Sequence, residues 1–120
     1  MSEKLVIMVT HGPEDPERAT IPFVMGAAAL ASDVEVLIGF QGAGVMLVRK
    51  GCAEHVFASG FPPLSDMIDA YMEEGGRMYV CGPCVQSRQI DPKDFLEGAT
   101  VVNAATFVAE VTSATNALVY

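Results

Sequence analysis

The sequence predicts an α/β fold: a three-layer α/β/α domain, Rossmann- or flavodoxin-like, with a mainly parallel sheet of about five strands. Three observations lead there. Short apolar runs recur at residues 5–10, 34–40, 77–80 and 100–102, and they are continuous rather than alternating, which marks strands buried on both faces. Segments with helical spacing or helix-start chemistry lie between them. The 120-residue chain is 51% hydrophobic, enough for a sizeable core without disulfide staples.

The elements follow in order. Residues 5–10 form the first strand, broken by His11-Gly12-Pro13. Asp15 and Pro16 suit an N-cap and first helical position, and a helix runs from there toward Ala31. Pro22 interrupts it, so either the helix kinks or a short turn precedes a helix starting near Thr20. Residues 34–40 form a second strand, and Gln41-Gly42-Ala43-Gly44 a loop. A short helix over 45–50 stops at Gly51. Leu64, Met67, Ile68, Tyr71 and Met72 share one helical face, and Gly75-Gly76 ends that helix. Residues 77–80 are the third strand. Asp91-Pro92 opens a short helical turn before Gly98, and 100–102 is the fourth strand. Asn103 caps a helix to about Ser113, and residues 117–120 form a last short strand. No repeat, linker or low-complexity tract divides the chain, so residues 1–120 read as a single domain.

Composition narrows the function classes. Seven Lys+Arg against 15 Asp+Glu give a net charge of −8, and the few cations are scattered. Direct nucleic-acid binding is disfavoured, because phosphate neutralisation needs a basic patch. The apolar run at 5–9 is too short for a signal-peptide core, and 21–31 is far short of a bilayer span, so no membrane partner is expected. Three cysteines, an odd number without a secretory signal, argue for free or reactive thiols in a reducing, cytoplasmic compartment.

The chemistry concentrates in Cys81-Gly82-Pro83-Cys84, which follows the third strand. The carboxyl ends of strands are where open α/β sheets keep their sites. A thiolate is favoured at a helix start, and Cys84 sits where one is expected. Arg88, four residues on, shares its helical face and can stabilise a thiolate or persulfide. Cys81 is close enough to resolve a mixed disulfide. Gly82 and Pro83 between the thiols and Gln41 and Gly42 at the second strand's end are expected to line a pocket on the same sheet edge, where the loop at 41–44 either shapes the wall or binds an anion through backbone N–H groups. His11, at the end of the first strand, becomes an acid–base or thiolate partner if its strand adjoins the third.

Other readings of the same residues stay open. Cys-Gly-Pro-Cys is also a thioredoxin motif, but Val80 stands where an aromatic residue is expected and several strand–helix units precede the pair. Cys52 and His55 repeat the two-residue spacing and, with Cys81 and Cys84, would supply four zinc ligands if the loop around Gly51 folded over the strand ends. The blander alternative makes the cysteines small buried apolar residues. The loop at 41–44 matches neither a dinucleotide fingerprint nor a P-loop, and no cofactor or metal is assigned.

The opening Lys4-Leu5-Val6-Ile7-Met8-Val9-Thr10-His11-Gly12-Pro13, the segment Arg18-Ala19-Thr20-Ile21-Pro22-Phe23, Phe40-Gln41-Gly42, and Val80-Cys81-Gly82-Pro83-Cys84 with Arg88 resemble the DsrE/DsrF-like family of small sulfur-relay proteins. The likeness extends over nearly the whole chain. It implies a parallel α/β/α domain assembling into trimers or hexamers. It also implies a cysteine, here Cys84, that accepts sulfane sulfur from a donor protein as a persulfide and passes it to an acceptor protein's thiol. Cys81 matches the upstream cysteine of the branch with two. Many members carry Gly after the Arg, whereas this chain has Gln89. The expected function is therefore a sulfur carrier or sulfurtransferase-type relay. The alternatives are a thiol–disulfide redox protein using the same pair, or a non-enzymatic oligomeric scaffold or small-ligand binding protein.

Overall fold

The computed structural model describes residues 3–120. Five strands, β1 (Lys4–Val9), β2 (Glu35–Phe40), β3 (Arg77–Cys81), β4 (Ala99–Val102) and β5 (Asn116–Val119), form one sheet in the order β4-β3-β2-β1-β5. Every pairing is parallel. The α/β expectation therefore holds, with an all-parallel sheet.

Handedness explains the layers. From β1 the chain steps to β2, β3 and β4 in one direction, so right-handed crossovers put the first connections on one face. The helices there are α1 (Pro16–Ala31) and α2 (Leu64–Glu73). The return from β4 across the sheet to β5 runs the other way, which sends α4 (Ala104–Thr112) to the opposite face. The short α3 (Gly82–Ser87) follows β3 directly.

The two faces differ in thickness. On the first, Ile7, Val9, Ile38, Phe40, Met78 and Val80 of the strands meet Phe23 of α1 and Leu64, Ile68 and Tyr71 of α2. Phe23 packs edge-on to Tyr71 with ring centroids 5.5 Å apart. The buried Tyr71 hydroxyl donates to the Arg77 carbonyl at 2.7 Å, so its polar end is satisfied inside the core. On the second face a smaller cluster, Val6, Met8, Leu37 and Phe107, is covered by α4. Gly39 makes that packing possible: a Cβ there would lie 2.8 Å from the Met8 sulfur and against the Phe107 ring.

Two local expectations are refined. Helix α1 is one element from Pro16 to Ala31 and runs through Pro22, without a separate turn before Thr20. Asp15 caps it, its side chain accepting from the Arg18 N–H at 3.1 Å. The proline's missing N–H would have served the carbonyl of residue 18, which lies on the exposed first turn where water can replace it. Residues Gly42–Val48 form one 3₁₀ helix instead of a loop followed by a helix over 45–50. Its cause is tertiary: Gly44 sits so close to the Val9 carbonyl that no side chain fits between them.

Candidate functional site

The cysteine pair lies where β3 turns into α3. Cys81 is the N-cap of α3, and its sulfur accepts from the Cys84 N–H at 3.4 Å. Gly82 and Pro83 fill the first helical positions, where a missing N–H costs nothing. A Cβ on Gly82 would come within 3.3 Å of the Val102 carbonyl, so glycine also lets the end of β4 approach. The two sulfurs are 2.6 Å apart, and both cysteines are free thiols and half-buried. Burial, followed by the hydrogen bond with the Cys84 thiol, pushes the Cys81 thiol above its ordinary value, while the Cys84 N–H donated to its sulfur, and after it Arg88, pull the other way. The net effect favours the neutral form of Cys81.

A group from the neighbouring strand completes the site. The backbone N–H of Gly42, just past β2, donates to the Cys84 sulfur at 3.3 Å. Gly42 takes φ +54, a left-handed conformation that glycine adopts without a Cβ penalty. Gln41 holds the same turn through its backbone: its N–H donates to the Val9 carbonyl at 3.0 Å and its carbonyl accepts from Gly44 at 2.9 Å. Its side chain makes no capping bond. Cys81, Gly82, Pro83, Cys84, Gln41 and Gly42 are therefore gathered at one sheet edge. The Gly42 contact was partly legible in the sequence, which offered the loop as a pocket wall or a backbone N–H anion site without naming Cys84 as its partner. The signal for it is that consecutive strands usually pair, which puts the ends of β2 and β3 side by side.

Arg88 and His11 stand differently from their expected poses. Arg88 is on the turn that carries Cys84, but its Nη1 donates to the Cys84 carbonyl at 3.2 Å and to Ser87 Oγ at 3.4 Å, not to the thiol. Strand β2 lies between β1 and β3, so the adjacency that would bring His11 to the cysteines is absent. His11 Nδ1 instead lies 3.3 Å from Thr10 Oγ1, which donates to the Tyr120 carbonyl at 2.8 Å. Next to Arg88, Gln89 takes φ +53. The backbone keeps there a conformation that suits glycine, although the chain carries glutamine.

Cys52 opens separately, into a cleft of about 420 Å³ lined by Met46, Arg49, Lys50, Gly51 and Asp94. Burial raises its thiol, and Arg49 offsets part of that rise. His55 is exposed, paired with Glu54 at 3.4 Å. Among the described residues no three His, Cys, Asp or Glu side chains converge as metal ligands. No helix among them is long and apolar enough to cross a membrane.

A five-stranded parallel sheet with this thiol pair at its carboxyl edge can be compared with known proteins. The family model described as "DsrE/DsrF-like family" matches residues 3–120. This chain belongs to the DsrE/DsrF-like family. It is 30% identical over 106 residues to the uncharacterized protein MJ0760 of Methanocaldococcus jannaschii, covering 88% of this chain but only 38% of that protein. It is 26% identical to the uncharacterized protein MJ0989 of the same organism, over 98% of this chain and 99% of that one. Among solved structures, the ychN protein from E. coli superposes with a TM-score of 0.83 at 15% identity, covering 98% of this chain and 99% of the other. That last likeness establishes the fold.

Proposed function

We propose that this protein is a sulfur carrier of the sulfurtransferase type, holding sulfane sulfur as a persulfide on Cys84 and handing it to a partner thiol. The observation that carries the reading is the Cys84 sulfur itself: half-buried at the sheet edge, 3.3 Å from a fixed N–H donor and 2.6 Å from a second thiol, in a member of the DsrE/DsrF-like family.

The chemistry balances without an outside oxidant. The Cys84 thiolate attacks the outer sulfur of a donor persulfide, R–S–SH. The donor's S–S bond breaks, the donor leaves as a thiolate, and Cys84–S–SH forms. In delivery an acceptor thiolate attacks the outer sulfur, and Cys84 leaves as its thiolate. Such a relay needs an accessible sulfur rather than a deep pocket, which fits the open edge. Arg88 secures the turn through the Cys84 carbonyl and lends its charge at longer range. Cys81, 2.6 Å away, modulates the persulfide's lifetime.

The 2.6 Å separation favours one second reading, a thiol–disulfide redox protein. Cys81 attack on the Cys84 sulfur would release hydrosulfide and leave a Cys81–Cys84 disulfide. A thiol reductant would then have to supply two electrons to reset the pair.

The assembly reading is a homo-oligomer, trimer or hexamer, in the cytoplasm, working with donor and acceptor proteins. Val108 and Val111 of α4 and Val119 of β5 are exposed at 59%, 38% and 70%, apolar side chains that further copies would bury. Light scattering on the purified protein should give a multiple of the 12.7 kDa chain mass; a monomer at micromolar concentration would contradict the assembly.

Cyanide tests transfer, because it removes sulfane sulfur from a persulfide as thiocyanate. Protein loaded with polysulfide and desalted should release about one thiocyanate per chain, and Cys84→Ser none. Equal release from the variant would refute the assignment.

A further inference from the structure

We infer that the backbone N–H of Gly42, delivered by the loop after β2, is the group that stabilises negative charge on the Cys84 sulfur in both halves of sulfur transfer. The inference rests on the persulfide reading for its chemistry. Its physical content, which group faces the Cys84 anion, stands whatever that sulfur carries.

The geometry separates two candidates for this task. Arg88 is the cation nearest to Cys84 in sequence, and its Nη1 is engaged with the Cys84 carbonyl and Ser87. Gly42 is 42 residues away and points its N–H at the sulfur at 3.3 Å. A backbone donor has no side-chain rotamers to lose, and it needs no reorganisation when charge appears.

The loop is built to keep that donor aimed. Gly42 holds φ +54. On either side, Gln41 is tied to the Val9 carbonyl, and Gly44 presses against the same carbonyl with no room for a Cβ. Gly12, from the loop after β1, leaves equally little room against the carbonyl of Ala43. Glycines at 12 and 44 thus let the ends of β1 and β2 close on each other, Gly42 supplies the left-handed turn between them, and the product is one N–H directed at β3's cysteine.

The chemistry gives the donor its use. In loading, Cys84 is the nucleophile and begins as a thiolate. In delivery it is the leaving group and ends as one. Negative charge therefore sits on, or returns to, the same sulfur in both steps, and one fixed N–H serves both. A hydrogen bond to a charged group is worth more than one to a neutral group, so the contact favours the anion over the thiol.

The test follows the rate of Cys84 carbamidomethylation against pH by peptide mass mapping in the full chain, with thermal melts verifying folding. Gly42→Val cannot hold the left-handed conformation and should swing the N–H away, slowing Cys84 alkylation by about tenfold below neutral pH. The rate of the urea-unfolded protein should be unchanged. Gly42→Asn, which tolerates that conformation better, should be slowed less. A folded Gly42→Val with the wild-type pH profile would overturn the inference. Should that variant fail to fold, the ¹⁵N-labelled wild type decides: the Gly42 amide proton should titrate in step with Cys84 alkylation, and a resonance that stays flat would overturn the inference. Wild-type protein that shows Gly42-dependent alkylation yet loads no sulfur would refute the carrier reading and leave this one standing. Loading on Cys84 with Gly42-independent alkylation would refute this one alone.

Discussion

Replacing Glu110 with glutamine should destabilise the protein at neutral pH and not in acid. Glu110 lies on α4, and its Oε1 accepts from Arg77 of β3 at 2.8 Å and contacts Lys4 Nζ of β1 at 3.2 Å. One carboxylate thus ties the helix covering the second face to two strands. Its side chain is 19% exposed. Burial pushes the carboxyl up, but the Arg77 and Lys4 contacts pull it down further, so it titrates below its ordinary value. Neither cation is orphaned by the change, because Arg77 keeps Glu35 at 2.7 Å and Lys4 keeps Ser113 Oγ at 2.8 Å. Hydrogen bonds to charged groups contribute about 1.5–3 kcal/mol when shielded, and exposed pairs only about 0.2–1 kcal/mol. For a partly shielded carboxylate whose partners keep other contacts, the loss should be about 1–2 kcal/mol near pH 7. The folded-state value is depressed, so this stability is present above the unfolded carboxylate's value. It is lost as pH falls through the folded one, in the range below about 4.5. Urea unfolding of wild type and variant near pH 7 and near pH 3 measures both ends. A gap that is the same at both pH values, or absent near pH 7, would refute the reasoning.

Three further outcomes are expected. Gly39→Ala would drive a methyl against Phe107 and the Met8 sulfur and should cost about 1–3 kcal/mol in urea unfolding, by loosening α4; a neutral result would mean the second face repacks freely. Gln89→Gly should stabilise the protein by about 0.5–1 kcal/mol, since relief of left-handed strain at φ +53 exceeds glycine's extra unfolded-state entropy; a lower melting temperature would contradict this. Cys81→Ser should leave Cys84 able to load sulfur and should lengthen the life of the persulfide, followed by hydrosulfide release; faster release in the variant would remove Cys81 as the discharging thiol.

Much of the fold was legible because strands write themselves as continuous apolar runs, and all five fall where those runs are, although only β1 and β2 are buried along most of their length and β4 and β5 hold no fully buried residue. The 3₁₀ helix at Gly42–Val48 was not, since it is held by contact with the Val9 carbonyl and carries no periodic signal of its own. Helix α1 passing through Pro22 was ambiguous because proline's cost depends on whether the freed carbonyl reaches water. At the site, the cysteine pair and its strand-end position were readable from spacing. The strand order that inserts β2 between His11 and the cysteines is a tertiary outcome. The direction of the Arg88 guanidinium is a rotamer choice. Helical spacing brought that residue to the right turn but could not say that it would bond a carbonyl instead of a sulfur.

Intact-protein mass spectrometry after exposure to inorganic polysulfide tests the central claim most directly, on the wild type and on Cys84→Ser. A gain of about one sulfur mass in the wild type, absent from the variant, is the predicted result and puts the persulfide on Cys84. A loss of two protons with no added sulfur would contradict it and make the Cys81–Cys84 disulfide the working state. An unchanged mass in both proteins would contradict it as well and leave the thiols without a sulfur-carrying role.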